Sequence, residues 1–275
     1  MITCINNVKK LENGGLERLD LTIGKSYEFF EREGGKFLLI DDVGEDIKDN
    51  PLEVGNWYEE SYFLPFTKEE IIKVAGIHPL KVRNIYIYGS RIYGTARSGS
   101  DYDIVMIAPH LLEHEEKKMT LNNVRLNVHV YTPDKFLADL KIHNIMNLEC
   151  LFAPDWAKLQ EKTVLPTEIK LKKLVQNNLA QSYSSWQGGK MKIQKYDFHR
   201  GLKSVFHSLR MLMFAAQIAE HGKIVDFSAA NHLYSEIVDC DEIEWDYYRA
   251  KYLSFKEELE KKLKSYAPNE QEQNS

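Results

Sequence analysis

The sequence predicts an α+β protein with a small β module, then a mixed sheet with helices, then a helical domain. Residues 1–65 hold short apolar runs separated by glycines, and residues 66–165 alternate strand-like and helix-like patterns. Residues 166–265 repeat apolar residues at the three-four spacing of helices. Residues 266–275 are polar and have nothing to bury, which predicts a disordered tail.

The first module is acidic and rich in glycine turns. Residues 1–65 contain 7 Lys and Arg against 14 Asp and Glu. Runs such as "LTIGKSYEFF" and "KFLLIDDVG", with glycines between them, indicate a small all-β unit. The module resembles the small SH3-like barrels of phage and bacterial proteins, which implies a docking or structural role and a protein partner.

The middle segment carries the signals of a mixed sheet. Thr67 followed by Glu70 is a capping-box pattern, which predicts the start of a helix. The segments "NIYIYG", "YDIVMIA" and "RLNVHVY" predict three strands, and "TPDKFLADLKI" predicts a helix with Pro133 in its first turn. This order predicts a small mixed sheet with helices on one face.

The charge of the chain is unevenly distributed. Its formal charge is −5 and its pI is near 6.0, which excludes a globally basic nucleic-acid coat but permits a local basic patch. Such a patch is indicated at residues 166–203, which contain 8 Lys and Arg against 2 Asp and Glu. The helical domain therefore begins with a basic segment that suits a phosphate-rich partner.

The cysteines and the apolar runs indicate the compartment. Cys4, Cys150 and Cys240 are an odd, sparse set, which favours a reducing compartment over a disulfide framework. No signal pattern opens the chain, and no apolar run approaches the length of a membrane span. We expect a cytoplasmic protein without a membrane partner.

Two acidic residues, Asp101 and Asp103, lie one residue apart at the start of a predicted strand. Because residues two apart on a strand point to the same face, the carboxylates converge and repel each other. A divalent cation relieves that repulsion, and hard oxygen ligands suit magnesium, with manganese as the second choice. A solvated turn that bears two acids is the plain alternative, and the spacing alone does not decide.

The tripeptide "YGS" at residues 88–90 adds a second feature upstream of the acids. A glycine-serine turn that opens a helix presents N–H groups and a hydroxyl to an anion. A triphosphate bound there would extend toward Asp101 and Asp103, which would hold its magnesium. The two features together predict one site for a nucleoside triphosphate.

The stretch "GSRIYGTARSGSDYDIVMI" resembles the signature of the DNA polymerase β-like nucleotidyltransferase superfamily, in which a Gly-Ser turn precedes an Asp-x-Asp strand. It is also similar to a nucleotidyltransferase branch with members associated with RNA-repair ligases. The segments "VYTPDKFLADLKIHNIMNLECLFAP" and "LKSVFHSLRML" resemble further parts of that branch, so the resemblance covers about residues 66–225.

The resemblance implies the roles of the motif residues. Gly89 and Ser90 would bind the phosphates of the nucleotide, and Asp101 and Asp103 would bind two magnesium ions. The implied reaction is an in-line attack of an acceptor hydroxyl on the α-phosphorus of an NTP, with pyrophosphate leaving.

The third carboxylate of the superfamily is missing from the following strand. The outward positions of "RLNVHVY" are, by alternation, Arg125, Asn127, His129 and Tyr131. Asn127 or His129 can ligate a metal weakly, and neutral His129 can act as a base toward the acceptor hydroxyl. Glu149 either compensates for the missing acid or braces a helix, and the second role is favoured.

Basic residues farther along the chain are candidates for phosphate contacts. One face of the second long helix carries, four and three residues apart, Lys203, His207 and Arg210. Alternatively, this face is a solvated stripe of the helix. Arg91 and Arg97 are further candidates for phosphate contacts, and a plain surface role is the alternative for each. A second set of basic and aromatic residues resembles a strip that binds RNA, and a soluble lysine-rich loop is the alternative. Its members are Trp186, Lys190, Lys192, Lys195 and Tyr196.

The leading hypothesis is therefore a magnesium-dependent nucleotidyltransferase that moves an NMP from an NTP to a hydroxyl. An RNA end (tRNA or a repair intermediate) is the favoured acceptor, and a small molecule or a protein side chain stays open. The second hypothesis, motivated by the missing third acid, is a catalytically weak nucleotide-binding or antitoxin-like regulator. The third is an adaptor whose β module recruits a partner.

Overall fold

The computed structural model describes residues 63–97 and 99–267 and, before residue 63, seven short strands. These strands are Ile2–Cys4 (β1), Val8–Lys10 (β2), Leu16–Arg18 (β3), Ser26–Tyr27 (β4), Phe29–Glu33 (β5), Lys36–Leu39 (β6) and Asn56–Glu59 (β7). β1 lies between β4 and Phe63–Leu64 (β8), β2 pairs with β3, and β6 lies between β5 and β7. Most of the predicted SH3-like module and of the predicted tail lies outside the described residues.

A five-stranded mixed sheet forms the centre of the middle segment. Its strands are Asn84–Tyr88 (β9), Tyr102–Ile107 (β10), His114–Leu121 (β11), Val124–Tyr131 (β12) and Lys158–Glu161 (β13). Their order is β11-β12-β10-β9-β13, in which β10 and β12 are parallel while β11 and β13 are antiparallel to their neighbours. The mixed sheet predicted from the sequence is confirmed.

The burial pattern explains which strands were recognisable. Ile85, Ile87, Ile104 and Met106 are fully buried, because the central strands β9 and β10 are apolar along most of their length. β11 alternates between exposed and half-buried residues, as expected for an edge strand. β11 and β12 are joined at Asn122–Asn123, whose φ values of 50° and 63° fit a tight hairpin turn that Asn tolerates.

Eight α-helices accompany the sheet in the described residues. They are Lys68–Ala75 (α1), Ser90–Tyr93 (α2), Pro133–Lys141 (α3), Ile145–Leu151 (α4), Leu171–Gln194 (α5), Phe198–His221 (α6), Asn231–Val238 (α7) and Trp245–Ser265 (α8). The predicted capping box of Thr67 and Glu70 is present at α1. Gly222 ends α6 as its C-cap, in the left-handed conformation with φ 72°.

Two glycines allow α5 and α6 to pack closely. A Cβ atom on Gly189 would lie 2.9 Å from Val205 Cγ2, and one on Gly201 would lie 2.6 Å from Ile193 Cγ1. Trp186, Leu202 and other apolar residues of α5 to α8 form the buried core around this crossing. The long helices predicted from three-four spacing are therefore confirmed, and their apolar faces meet each other.

The described chain forms two compact units that share the sequence in alternating pieces. The sheet unit contains the described residues up to Ile87, then Gly99–Thr132 and Pro154–Thr163. The helical unit contains residues 88–97, Pro133–Ala153 and the described residues from Val164 onward. The predicted boundaries at residues 65, 165 and 265 stay predictions.

None of the helices in the described part of the chain combines the length and the apolar character that a bilayer span requires.

Candidate functional site

The two acids of the motif lie at the start of β10. Asp101 directly precedes the strand and Asp103 is its second residue, and both side chains are half-buried. The residue between them, Tyr102, points the other way into the core, where its ring meets Phe66 edge-on at 4.9 Å. Tyr102 therefore faces the core between the two acids, and the convergence of the carboxylates of Asp101 and Asp103 stays a prediction.

Asn127 lies beside Asp103, because the parallel register of β10 and β12 pairs the two residues. The Nδ2 atom of Asn127 donates to Asp103 Oδ1 at 3.4 Å and lies 3.1 Å from Nε2 of His129. The Oδ1 atom of Asn127 is buried and has no hydrogen-bond partner among the described residues. The amide oxygen of Asn127 is therefore a buried acceptor that no described donor satisfies.

The hydrogen bonds of His129 fit a neutral ring. If Nε2 accepts from Asn127, the proton of His129 is on Nδ1, which lies 3.0 Å from Nε2 of His114. Burial lowers the pKa of His129 from its ordinary value, Glu116 opposes this shift, and the cationic forms of His114 and Lys118 add to it. The sequence did not indicate His114, because only the antiparallel pairing of β11 with β12 brings it to His129.

A cation does lie against the acid pair, and it is an arginine. The Nε atom of Arg125 is 2.6 Å from Asp101 Oδ1, and its Nη2 donates to the carbonyl of Gly99 at 2.5 Å. Both partners of the ion pair are substantially exposed, so the pair contributes only about 0–1 kcal/mol. A single weak pair leaves Asp101 available to a stronger cation.

The donor set fits a magnesium ion. No group of three or more His, Cys, Asp or Glu side chains gathers as a metal site within the described residues. Asp101, Asp103 and the partnerless amide oxygen of Asn127 nevertheless provide hard oxygen donors on two neighbouring strands. Asn127 thus lies on β12, the strand on which the superfamily has a third carboxylate. Its amide supplies an oxygen but no negative charge.

The Gly-Ser turn belongs to the helical unit and follows directly after Tyr88, the last residue of β9. Gly89 has φ 78° and ψ −151°, a conformation that is almost restricted to glycine. Ser90 then begins α2, and its carbonyl accepts from the N–H groups of Thr95 and Ala96. The predicted turn into a helix is confirmed, and its geometry explains the glycine.

Tyr93, at the end of α2, is fixed by a buried charge pair. Its hydroxyl donates to Glu149 Oε2, and Arg210 Nη2 lies 3.5 Å from Glu149 Oε1. The guanidinium of Arg210 also lies 3.6 Å from the centre of the Tyr93 ring. Burial raises the pKa of Tyr93 well above its ordinary value, so the phenol keeps its proton. Glu149 therefore braces the helices, as favoured from the sequence.

The predicted basic face of α6 is only partly accessible. Arg210 is buried in its pair with Glu149, whereas Lys203 and His207 are half-buried. Burial, with the cations of Arg210 and Lys203, holds the pKa of His207 well below its ordinary value. The structure thus places Arg210 in a bracing role, which differs from the predicted contact with phosphate.

The remaining basic candidates have various partners. Arg97 forms an ion pair with Asp239 and lies over the ring of Tyr234, and Arg91 is half-buried on α2. The basic and aromatic strip lies on α5 and at its end rather than in a loop: Trp186 is buried, Lys192 donates to Ser204 Oγ, and the other members are Lys190, Lys195 and Tyr196.

Residues 69–148 match the family model that is described as a nucleotidyltransferase domain. This segment contains the Gly-Ser turn, the two acids and the Asn127 position, so the match covers the whole motif. The match places residues 69–148 among nucleotidyltransferase domains, in agreement with the superfamily resemblance of this segment. The RNA-repair branch stays a prediction.

Two solved structures are similar to the chain at low identity. A nucleotidyltransferase-like protein from Exiguobacterium sibiricum 255-15 is 15% identical, with 73% of this chain and 77% of that chain covered and a TM-score of 0.31. A spectinomycin adenyltransferase from Enterococcus faecialis, solved with ATP and spectinomycin, is 14% identical, with 72% and 100% covered and a TM-score of 0.39. Such low TM-scores carry no argument about the site. Curated proteins gave no match.

Proposed function

We propose that the chain transfers an NMP from an NTP to an acceptor hydroxyl in a magnesium-dependent reaction. The observation that carries the proposal is the oxygen cluster at the start of β10. There Asp103 lies in register with Asn127, whose buried amide oxygen has no described partner, and Asp101 lies two residues before Asp103. An oxygen-rich cluster of this kind suits a magnesium ion, as the transfer reaction requires.

Each residue of the motif has a proposed role. Gly89 and Ser90 hold the phosphates of the nucleotide, while Asp101, Asp103 and Asn127 hold the metal. A bound magnesium ion would neutralise the charge that develops on the leaving oxygens. The acceptor oxygen forms a bond to the α-phosphorus as the bond to pyrophosphate breaks.

The proton of the acceptor hydroxyl needs a base, and we assign His129 to it. The hydrogen bonds from Asn127 and to His114 hold its ring neutral and oriented, and Nε2 takes the proton when the acceptor hydroxyl replaces the amide of Asn127 as its hydrogen-bond donor. Arg91, Lys203 and His207 remain proposed contacts of the nucleotide. Arg210 pairs with Glu149 instead of the nucleotide. Its proposed role is to brace α6, the helix that carries Lys203 and His207.

The proposed acceptor is an RNA end. The support is the basic segment of residues 166–203, which α5 and the start of α6 present in the helical unit. A small-molecule acceptor is the alternative within the same chemistry. A weak nucleotide-binding regulator is the second candidate function, because the described residues bring no third acidic side chain to Asp101 and Asp103.

The test is label transfer from α-labelled NTPs in the presence of magnesium or manganese and total RNA. We expect transfer by the native protein, none by the Asp101→Asn/Asp103→Asn variant, and normal transfer by the Asp134→Asn variant. Asp134 is an exposed acid on α3 and serves as the matched control.

The outcomes separate the candidates. Transfer that survives the double substitution contradicts the proposed metal cluster. Tight, magnesium-dependent NTP binding without any transfer would favour the regulator. Label that appears in low-molecular-weight products and not in RNA would assign a small-molecule acceptor.

A further inference from the structure

A cavity of about 340 Å³ lies in the helical unit between α5 and α8. Its lining residues are Trp186, Gln187 and Lys190 of α5 with Trp245, Arg249 and Leu253 of α8. On α8 these residues recur every fourth position, so they share one face of the helix. The volume is at the lower end of the range for small-molecule sites, which begins at about 300 Å³.

The apolar wall of this cavity is rigid. Trp186 and Trp245 meet edge-to-face with ring centroids 5.1 Å apart, and only 4% and 8% of their surfaces are exposed. Both rings belong to the buried core of the helical unit, together with Tyr248. The two indole rings are therefore held in place by the core, and only their exposed edges reach the cavity.

The rim of the cavity carries positive charge that the described chain does not neutralise. Neither Lys190 nor Arg249 forms an ion pair with a described residue. In contrast, Lys256, whose ammonium lies 5.9 Å from the centre of the Trp186 ring, is paired with Glu260. Two available cations beside two indole rings are the chemistry that holds a phosphate next to a planar apolar group.

We propose that this cavity binds a phosphorylated nucleotide. Lys190 and Arg249 hold its phosphate, the exposed edges of Trp186 and Trp245 contact its base, and Gln187, which also lines the cavity, hydrogen-bonds a base edge. The site is built within the helical unit alone, so it does not rest on the proposed transfer reaction.

The sequence showed only half of this site. Trp186 and Lys190 were recognised as part of a basic and aromatic strip, but Trp245 and Arg249 come from a helix whose net pattern is that of an ordinary amphipathic segment. Their approach depends on the packing of α8 against α5, which no local pattern reports.

The bound nucleotide has two sources with the same chemistry, a free mononucleotide or a nucleotide of single-stranded RNA. The test is a metal-free titration of the full chain, followed by its tryptophan fluorescence, with three probes. AMP and a short 5′-phosphorylated oligoribonucleotide represent the two sources, and adenosine lacks the phosphate.

The variants Lys190→Gln and Arg249→Gln each remove one cation at the rim. We expect each to weaken binding by about tenfold, because a charge-assisted hydrogen bond contributes about 1.5–3 kcal/mol and 1.4 kcal/mol is tenfold. Lys261→Gln and Lys264→Gln, both on α8, are matched controls at exposed positions outside the basic segment and should bind normally. Adenosine should bind more weakly than AMP by a similar factor.

If AMP binds more tightly than the oligoribonucleotide, the ligand of the cavity is a free nucleotide. If the oligoribonucleotide binds more tightly, the ligand is a nucleotide of RNA. Absence of binding for both phosphorylated probes overturns the proposal. It is also overturned if the rim variants bind as the native protein does while Ser90→Ala weakens AMP, because binding would then belong to the Gly-Ser turn. The proposal is also overturned if the exposed control variants lose as much affinity as the rim variants, because binding would then depend only on the net charge of the protein.

Discussion

Asn127 is the residue at which this chain departs from an acid-rich metal site. It lies in register with Asp103 and offers a buried amide oxygen without a described partner. A neutral ligand lowers the repulsion within the cluster when no metal is bound, and it also lowers the attraction for a cation. In the proposed metal cluster, Asn127 would therefore lower the affinity for magnesium and raise the stability of the protein without metal.

Asn127→Asp should reverse that balance. We expect the variant to melt at a lower temperature than the native protein in EDTA, because three carboxylates then share one face. Magnesium should raise its melting temperature more than that of the native protein, because binding to the folded state alone stabilises it. Thermal melting over a magnesium titration measures both effects.

The matched control for this prediction is Asp103→Asn/Asn127→Asp, which exchanges the two groups and keeps the charge. It should respond to magnesium about as the native protein does. An Asn127→Asp response that equals the native one at every magnesium concentration would contradict the assignment of Asn127 to the metal cluster.

Glu149 and Arg210 form the other residue pair with a definite energetic prediction. Removal of one member leaves a buried charge without its partner, which costs about 3–5 kcal/mol. Glu149→Ala should therefore lower the free energy of unfolding by about that amount, whereas Glu149→Leu/Arg210→Leu should cost less than Glu149→Ala alone. Urea denaturation measures both, and a double variant that loses as much stability as Glu149→Ala, or more, would contradict the pairing.

At the scale of elements, the crossing of α5 and α6 depends on glycine. Gly201→Ala would place a Cβ 2.6 Å from Ile193 Cγ1 and 3.0 Å from the Ile193 backbone nitrogen, so the helices must separate. We expect a loss of about 1–3 kcal/mol in unfolding free energy. Gly188→Ala, with nothing within 4 Å, should instead be neutral or stabilising because alanine favours helices. Similar losses for both variants in urea denaturation would refute this packing argument.

His143 links the end of α3 to the start of α5 in its neutral form. Its Nε2 accepts from the N–H of Lys170 at 2.8 Å, and its Nδ1 lies 3.1 Å from the carbonyl of Leu140. Burial lowers the pKa of His143, and the nearby cations of Lys173 and Lys170 add to this shift. A proton on Nε2 would break the contact with Lys170.

The sign of the pH effect follows from that lowered pKa. The unfolded chain takes up the proton first as the pH falls, so the stability from His143 is complete above its ordinary pKa of 6.5 and declines below it. The stability difference between the native protein and His143→Asn should therefore shrink as the pH falls below 6.5. His199→Asn, at an exposed position, should show no such change, and a constant difference for His143→Asn would contradict the linkage.

Local patterns predicted the elements whose residues are buried on one or both faces. β9, β10 and β12 were recognised because their apolar residues continue or alternate, as were α1, α3 and the long helices. β11 ("HEEKKMTL") and β13 ("KLQE") were missed, because edge strands carry charges where the pattern of a strand expects apolar residues.

The candidate site was only partly visible in the sequence for a related reason. The convergence of Asp101 and Asp103 follows from alternation within one strand. The contacts of Arg125 with Asp101 and of His114 with His129 depend on register between strands, which one sequence does not show.

At the scale of the whole molecule, charge is separated along an acidic chain. The net charge is −5, yet residues 166–203 carry a strong positive excess, so RNA binding should depend on a few cations. Binding should weaken linearly in log–log plots against salt, and Lys195→Gln should reduce that slope by about 0.7. Lys81→Gln, exposed in the sheet unit, should leave the slope unchanged, and fluorescence anisotropy of labelled single-stranded RNA measures both. Binding that ignores salt would contradict this view.

The interleaving of the two units has a consequence for biosynthesis. The short helix that ends at Tyr93 is translated early, but Glu149, Arg210 and Asn231, which contact that tyrosine, leave the ribosome much later. The nascent segment around the Gly-Ser turn must therefore wait for most of the polypeptide before it acquires its native neighbours. If a ribosome stalls near residue 165, the nascent chain still lacks Arg210 and the helices α5 to α8. Neither the Glu149–Arg210 ion pair nor the core of the helical unit can form at that stage.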